Sequence, residues 1–144
     1  MTASPDTLDH VIDRVLSLRT WAVVGLSPSP SRDSHRVAAA LQQRGHRIVP
    51  VRPGCESLLG EPCVPSLGAV PGDVAVDVVD IFRRSEEAGV HVDEAIERGA
   101  SAVWMQLGVT DHAAADRARA AGLFVVMDRC PLIELRRRGH PPLA

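Results

Sequence analysis

The chain has 144 residues, a length that suits one domain with a sizeable core. Sixteen basic and eighteen acidic residues give a formal net charge of −2, so charge alone provides no long-range attraction to nucleic acid or to an anionic membrane. Aromatic residues make up 3% of the chain, which argues against single-stranded nucleic-acid binding, because that function needs aromatic stacking platforms.

No apolar run approaches the roughly 20 residues that a membrane span needs, and the polar start from Met1 to Asp6 is unlike a signal peptide. These features predict a cytoplasmic protein. The three cysteines, Cys55, Cys63 and Cys130, form neither a CxxC pair nor a zinc pattern, so reduced thiols are expected. The six histidines lack metal-ligand spacing, and no metal site is predicted.

Apolar residues recur at helical spacing from Thr7 to Leu18, which predicts an amphipathic helix. We expect the N-terminal segment 1–19 to pack, through this helix, on a single domain that spans 1–144. Ala22 to Val24 is a short apolar run typical of a strand buried on both faces. A helix from about His35 to Arg44 should follow, with Ser34 or Asp33 as its cap and Gly45 at its end.

The second strand is predicted from Arg47 to Val51, and it closes a β-α-β unit of the usual size. The segment from Pro53 to Pro71 is rich in proline and glycine and should be a turn-rich connection. The remaining predicted elements, in chain order, are a strand at 74–81, a helix at 85–98 capped by Ser85, a strand at 102–107, a helix at 110–121, a strand at 123–127 and a helix at 131–138.

Strands that alternate with helices of this length predict an α/β fold, a doubly wound parallel sheet of five strands in the order 3-2-1-4-5. Ligands of such sheets bind at the carboxyl ends of the strands, near the point where the strand order reverses. Those ends carry the segments 25–34, 52–53, 82–83, 106–108 and 128–130.

The loop after the first strand ends at a helix N-terminus, where free amide donors and the positive end of the helix dipole favour an anion. Of the glycines in the dinucleotide fingerprint G-x-G-x-x-G only Gly25 is present, and Pro28 and Pro30 remove two backbone donors. A phosphate site here would therefore depend on the loop serines and especially on Arg32, whose guanidinium can fork onto phosphate oxygens.

Arg52 lies where an NAD site would place an acidic residue to hold the ribose 2′-hydroxyl. An arginine at this position favours a phosphorylated ribose, as in NADP or coenzyme A. NADP chemistry also needs room for a nicotinamide and a substrate, and a chain that ends at Ala144 is expected to lack a second domain for them. Coenzyme A is therefore the favoured ligand.

The sequence resembles the small stand-alone CoA-binding proteins, a family similar in fold to the CoA-binding domain of succinyl-CoA synthetase. The resemblance covers most of the chain from Trp21 to Arg138. The segments that carry it are 22–27 with Pro30, Arg32 and Ser34; 49–53; Gly60 with 65–67; 77–84; 103–108; and 125–130.

The resemblance implies a Rossmann-like fold with coenzyme A lying over the strand ends. Phosphates would contact Ser27 and Arg32, and the adenosine end would lie beside Arg52 and Pro53. Phe82, Arg83 and Gln106 would flank the pantetheine arm. The full set of cofactor-binding residues predicted is Gly25, Leu26, Ser27, Arg32, Ser34, His35, Val51, Arg52, Pro53, Phe82, Arg83, Gln106 and Gly108. The family usually has alanine at the position of Leu26 and asparagine at that of Arg52, so a ribose-phosphate contact from Arg52 would be peculiar to this sequence.

No catalytic constellation is predicted: residues 25–29 miss the nucleophile motif G-x-S-x-G because the second glycine is absent. The hypothesis is therefore non-catalytic binding of coenzyme A or a short acyl-CoA. One alternative is a partner subunit that supplies the CoA site to an acyl-CoA ligase. A less favoured alternative is an NADP-dependent oxidoreductase. A homo-oligomer remains open.

Overall fold

The computed structural model describes residues 7–143. The helices are α1 (Leu8–Leu16), α2 (Asp33–Gln43), α3 (Ser85–Arg98), α4 (His112–Ala120) and α5 (Pro131–Arg138). The strands are β1 (Thr20–Val24), β2 (Arg47–Val51), β3 (Ser57–Leu58), β4 (Glu61–Pro62), β5 (Val78–Ile81), β6 (Ala102–Met105) and β7 (Phe124–Val126). Across residues 7–143, every helix is too short or too polar to cross a bilayer.

Five strands form one parallel sheet in the order β2-β1-β5-β6-β7. The predicted α/β class with a five-stranded parallel sheet is confirmed. The predicted order 3-2-1-4-5 is wrong in one respect: the third long strand, β5, pairs with β1 and not with β2. The observed order corresponds to 2-1-3-4-5, the other common doubly wound arrangement.

Pro50 explains why β2 lies at the edge of the sheet. The Val51 carbonyl accepts from the Gly25 N–H on the β1 side of β2. Because the backbone groups of successive strand residues point to opposite sides, those of Pro50 point away from β1. A proline there offers no N–H donor to a further strand, and prolines inside sheets are therefore confined to edges. Only an isolated bridge forms on this edge, in which Val64 donates to the Pro50 carbonyl and accepts from Arg52.

The alternation of side chains along the strands divides the core into two layers, one on each face of the sheet. One layer packs against α3 and α4, with Ala22, Val79 and Val103 from the sheet. The other packs against α1, α2 and α5, and its largest members are Trp21 and Trp104. Burying apolar surface on both faces is what makes short strands such as the five of this sheet stable.

The connection after β2 contains a short hairpin, β3–β4, which was not predicted from the sequence. Cys55 and Cys63 flank this hairpin and are joined by a disulfide, so the expectation of reduced thiols is wrong for these two. Cys130 is a free, buried thiol. The disulfide closes a loop between residues only eight positions apart, and it joins the two ends of the hairpin.

Candidate functional site

The carboxyl ends of β1, β2 and β5 surround three adjoining cavities that together form a groove across this end of the sheet. All three cavities share Gly25. The central cavity has a volume of about 610 Å³, the cavity toward α2 about 360 Å³ and the cavity toward α3 about 170 Å³. The groove crosses the sheet where β1 leads to α2 on one face and β5 leads to α3 on the other. This is the place that the topology predicts for a ligand.

Gly25 lets the groove pass close to the backbone. Its φ of +85° lies in the left-handed region, and a Cβ built there would approach the Phe82 carbonyl oxygen to 2.6 Å. Any side chain at this position would therefore push the loop after β5 away from β1. The glycine keeps the two loops in contact and the floor of the groove open.

The central cavity is strongly basic. Its lining includes Arg32, Arg52 and Arg83, three loop serines and no acidic residue. Arg32 is exposed, and its guanidinium has no hydrogen bond or ion pair to any other residue between 7 and 143. Arg83 is paired with Glu87, and Arg52 donates to the Leu26 carbonyl at 3.3 Å. Three guanidinium groups around one cavity suit a ligand that carries several negative charges.

The loop that begins at Ser27 is fixed by the first turn of α2. The Ser34 hydroxyl accepts from the Ser27 N–H at 2.9 Å, and His35 Nδ1 lies 2.9 Å from the Ser27 carbonyl oxygen. The Ser27 hydroxyl in turn accepts from the Ser29 N–H. Two members of the predicted cofactor-binding set, Ser34 and His35, thus hold the loop in place. The residue before α2 is Arg32, so the predicted caps Ser34 and Asp33 are wrong.

The flanking cavities contain most of the other predicted site residues. Phe82 lines the cavity toward α2, together with Ser27 and Ser34. Val51 and Pro53 line the cavity toward α3. Eight of the predicted cofactor-binding residues therefore meet around Gly25 although they come from three separate strand ends; they are Ser27, Arg32, Ser34, Val51, Arg52, Pro53, Phe82 and Arg83.

Four predicted residues do not line these cavities: His35, which holds the loop through Ser27, and Leu26, Gly108 and Gln106. The Leu26 side chain is fully buried in the core layer beneath α2, and only its carbonyl reaches the site. Gly108 donates its N–H to Asp128 and accepts from the Ser85 hydroxyl, so the predicted cap Ser85 serves a different loop. Gln106 is buried, and its Oε1 has no hydrogen-bond partner among residues 7–143.

Sequence reasoning missed two residues of the groove, His91 and Glu94. Both belong to α3 and line the cavity toward that helix, and His91 Nδ1 lies 2.8 Å from Glu94 Oε1. Their helical spacing gave no signal, because a His and a Glu three positions apart are ordinary on a solvated helix face. Only the packing of α3 against the loop after β2 brings them to the site.

Asp80 lies in β5 one layer below the groove, between Val23 and Trp104. It is fully buried, and neither of its carboxyl oxygens has a hydrogen-bond partner among residues 7–143. Burial raises the pKa of this carboxyl well above its ordinary value, because the charged form loses its hydration. At neutral pH the Asp80 carboxyl is readily ionised in the unfolded chain, whereas the folded protein disfavours the ionised form. Asp80 therefore lowers the free energy of unfolding at neutral pH.

We expect Asp80→Asn to increase the free energy of unfolding at pH 7 by about 1–3 kcal/mol, because it removes an ionisable group from an apolar site. A raised folded-state pKa contributes stability below the unfolded pKa of about 4 and loses it as the pH rises. The gain should therefore be small below pH 4 and grow toward neutrality in urea titrations. Asp77→Asn is the control, since that carboxylate already accepts from the Thr20 N–H; a gain for Asp80→Asn that does not change with pH would contradict the raised pKa.

Comparison with known proteins agrees with this geometry. Residues 19–136 match the family model described as a CoA binding domain, a range that includes the whole parallel sheet and the groove. The uncharacterized protein YneT of Bacillus subtilis is 39% identical over 109 residues, which are 76% of this chain and 79% of YneT.

Solved structures give the same result at the level of the fold. A hypothetical protein from Pyrococcus horikoshii is 33% identical with a TM-score of 0.85, and the match covers 95% of this chain and 96% of that one. An acetyl-coenzyme A synthetase from Korarchaeum cryptofilum is 22% identical with a TM-score of 0.69, and the match covers 81% of this chain but 28% of the synthetase. The second likeness concerns the fold alone.

Proposed function

Because this chain belongs to the family of CoA binding domains, we propose that it binds coenzyme A or a short acyl-CoA along the groove, as a binding protein without chemistry of its own. The observation that carries the proposal is the central cavity, whose three arginines and three serines lie together without an acid. Coenzyme A carries a pyrophosphate and a ribose 3′-phosphate, and this cavity offers charge-assisted donors to both.

In this proposal the pyrophosphate lies at the Ser27–Ser34 loop, where the N-terminus of α2 and the unpaired Arg32 guanidinium favour an anion. Arg52 and Arg83 extend the positive surface along the groove. The pantetheine arm runs past Phe82 toward Gln106.

Isothermal titration with coenzyme A, dephospho-CoA and NADPH tests the proposal. Coenzyme A should bind most tightly, dephospho-CoA more weakly because it lacks the ribose phosphate, and NADPH should compete poorly. Tighter binding of NADPH, with nicotinamide turnover, would instead support an oxidoreductase. Equal affinity for coenzyme A and dephospho-CoA would remove the ribose-phosphate role of Arg52 while leaving the rest of the proposal intact.

Arg32→Ala should weaken binding of coenzyme A by about 1.5–3 kcal/mol, because it removes a charged donor to phosphate. The fold should be unaffected, since the Arg32 side chain is exposed and bonds to no other residue between 7 and 143. Arg36→Ala is a matched control: Arg36 follows in the first turn of α2, and it is already paired with Asp33. An unchanged affinity for the Arg32 variant would show that this side chain does not hold a phosphate.

A partnership with an acyl-CoA ligase remains a separate prediction of the proposal. A binding protein of this kind would supply the CoA site to a subunit that activates the acyl group. Affinity purification of the tagged chain, followed by identification of bound proteins, tests it. Recovery of a nucleotide-binding ligase subunit would support the partnership, and recovery of the chain with coenzyme A alone would oppose it.

A further inference from the structure

The cavity toward α3, here called the side cavity, differs in chemistry from the central cavity beside it. Its volume is about 170 Å³, and its apolar lining comes from Val24, Val51, Leu67 and the two prolines Pro53 and Pro65. Glu94 is its single acidic lining residue. The groove therefore joins a basic compartment to a smaller one, whose lining includes apolar side chains, one carboxylate, and the same Arg52 and Arg83 that line the central cavity.

The Glu94 carboxylate is held ready to accept a hydrogen bond. One oxygen, Oε1, is 2.8 Å from His91 Nδ1, and the two side chains are 34% and 23% exposed. Apart from His91, no residue between 7 and 143 forms a hydrogen bond or an ion pair with Glu94. Its second oxygen is thus available to a donor on a ligand, in a partly desolvated setting where such a bond is stronger than in water.

The charges decide which part of a CoA-like ligand suits the side cavity. Arg52 and Arg83 line both cavities, but a phosphate group in the side cavity would also meet the Glu94 carboxylate, whereas the central cavity adds Arg32 and, among residues 7–143, no acid. A flat ring with an N–H donor has the opposite requirements: it needs apolar walls on its faces and an acceptor at its edge. Two prolines and a carboxylate meet those requirements.

We infer that Glu94 selects the adenine base of the cofactor by accepting a hydrogen bond from its exocyclic amino group, with the ring enclosed in the side cavity. His91 acts as a positioning residue that orients the carboxylate. The inference rests on the proposed function, since it assigns one end of the same ligand. It makes the side cavity a base-selecting site and not only an apolar recess.

The test is a double-mutant cycle between Glu94 and the amino group, measured by isothermal titration. The probes are adenosine 3′,5′-bisphosphate and purine riboside 3′,5′-bisphosphate, which lacks the amino group. The wild-type protein should bind the adenosine compound roughly tenfold more tightly, as expected for a hydrogen bond to a charged group. Glu94→Ala should bind the two within about twofold of each other, so the preference, and not merely the affinity, is lost.

Glu97→Ala is the matched control, because Glu97 belongs to the same helix and does not line the side cavity; it lines a neighbouring cavity beside Leu67 and Arg98, which Glu94 also lines. It should keep the tenfold preference. His91→Ala should reduce the preference without abolishing binding, which a purely structural role would not predict. Urea unfolding of each variant checks that the fold persists.

Each outcome is decisive. A wild-type protein that binds coenzyme A but shows no preference between the two bisphosphates overturns the inference and leaves the proposed function standing. So does a Glu94→Ala variant that keeps the wild-type preference. Failure of the wild-type protein to bind coenzyme A at all overturns both the proposed function and the inference that depends on it.

Discussion

Gly25→Ala is expected to lower the free energy of unfolding by about 3–5 kcal/mol, the sum of a left-handed backbone penalty and an overpacking penalty. The first arises because φ is +85° and the second because the new Cβ would lie 2.6 Å from the Phe82 carbonyl oxygen. A backbone atom cannot yield as a flexible side chain would, so the loops after β1 and β5 must separate. Urea denaturation monitored by tryptophan fluorescence measures the loss.

Gly54→Ala separates the two penalties. Gly54 also has a positive φ, +69°, and lies near the groove beside Pro53, but a Cβ built there has nothing within 4 Å. It should therefore cost only about 1–2 kcal/mol, the backbone penalty alone. Equal losses for the two variants would contradict the close approach at Gly25. Binding of coenzyme A should also fall more in the Gly25 variant, because only there does the groove change shape.

The elements of the sheet could be predicted because each carries a local signal. The strand at Arg47–Val51 and the helices at Ser85–Arg98 and Pro131–Arg138 have the predicted bounds. Apolar runs bounded by glycine, and apolar spacing that ends at a glycine, are properties of the sequence itself. The helix caps were less predictable: Thr7 caps α1 by accepting from the His10 N–H, but the predicted caps Ser34 and Ser85 bond to loops instead.

The alternation of strands and helices along the chain does not determine the strand order, but one residue of β2 indicates it. Pro50 interrupts the donor row of β2 on one side, and a proline at such a position is by itself typical of an edge strand. The β3–β4 hairpin and its disulfide have no comparable signal. Two-residue strands show no periodicity, and cysteine spacing alone does not fix pairing.

Some residues of the candidate site could likewise be predicted from the sequence, and others could not. Gly25, Arg32 and Arg52 could be found because strand ends of a parallel sheet converge, whatever the exact packing. Glu94 and His91 could not, since they reach the groove only through the position of α3 against the loop 65–74. Leu26 shows the reverse error: it lies in the right loop, but its side chain points into the core.

Arg98 holds the loop 65–74 in place. It is therefore the second position where a substitution is expected to have a large effect on the free energy of unfolding. Its guanidinium donates to the carbonyls of Val70 at 2.7 Å, Pro71 at 2.6 Å and Val74 at 3.1 Å. One side chain thus satisfies three carbonyls of a segment that has little regular structure of its own. The same segment begins with Leu67, which lines the side cavity.

Arg98→Ala is therefore expected to lower the free energy of unfolding by about 3–4 kcal/mol, because it removes the hydrogen bonds that one charged donor makes to these carbonyls and, at 3.5 Å, to that of Leu67. Hydrogen exchange should increase first in the amides of residues 67–74. Arg98→Lys keeps the positive charge in the last turn of α3, where it favours the helix dipole, but an ammonium cannot span three carbonyls. It should recover no more than half of the loss. Full recovery would mean that charge, and not the forked geometry of the guanidinium, holds the wall of the groove in place.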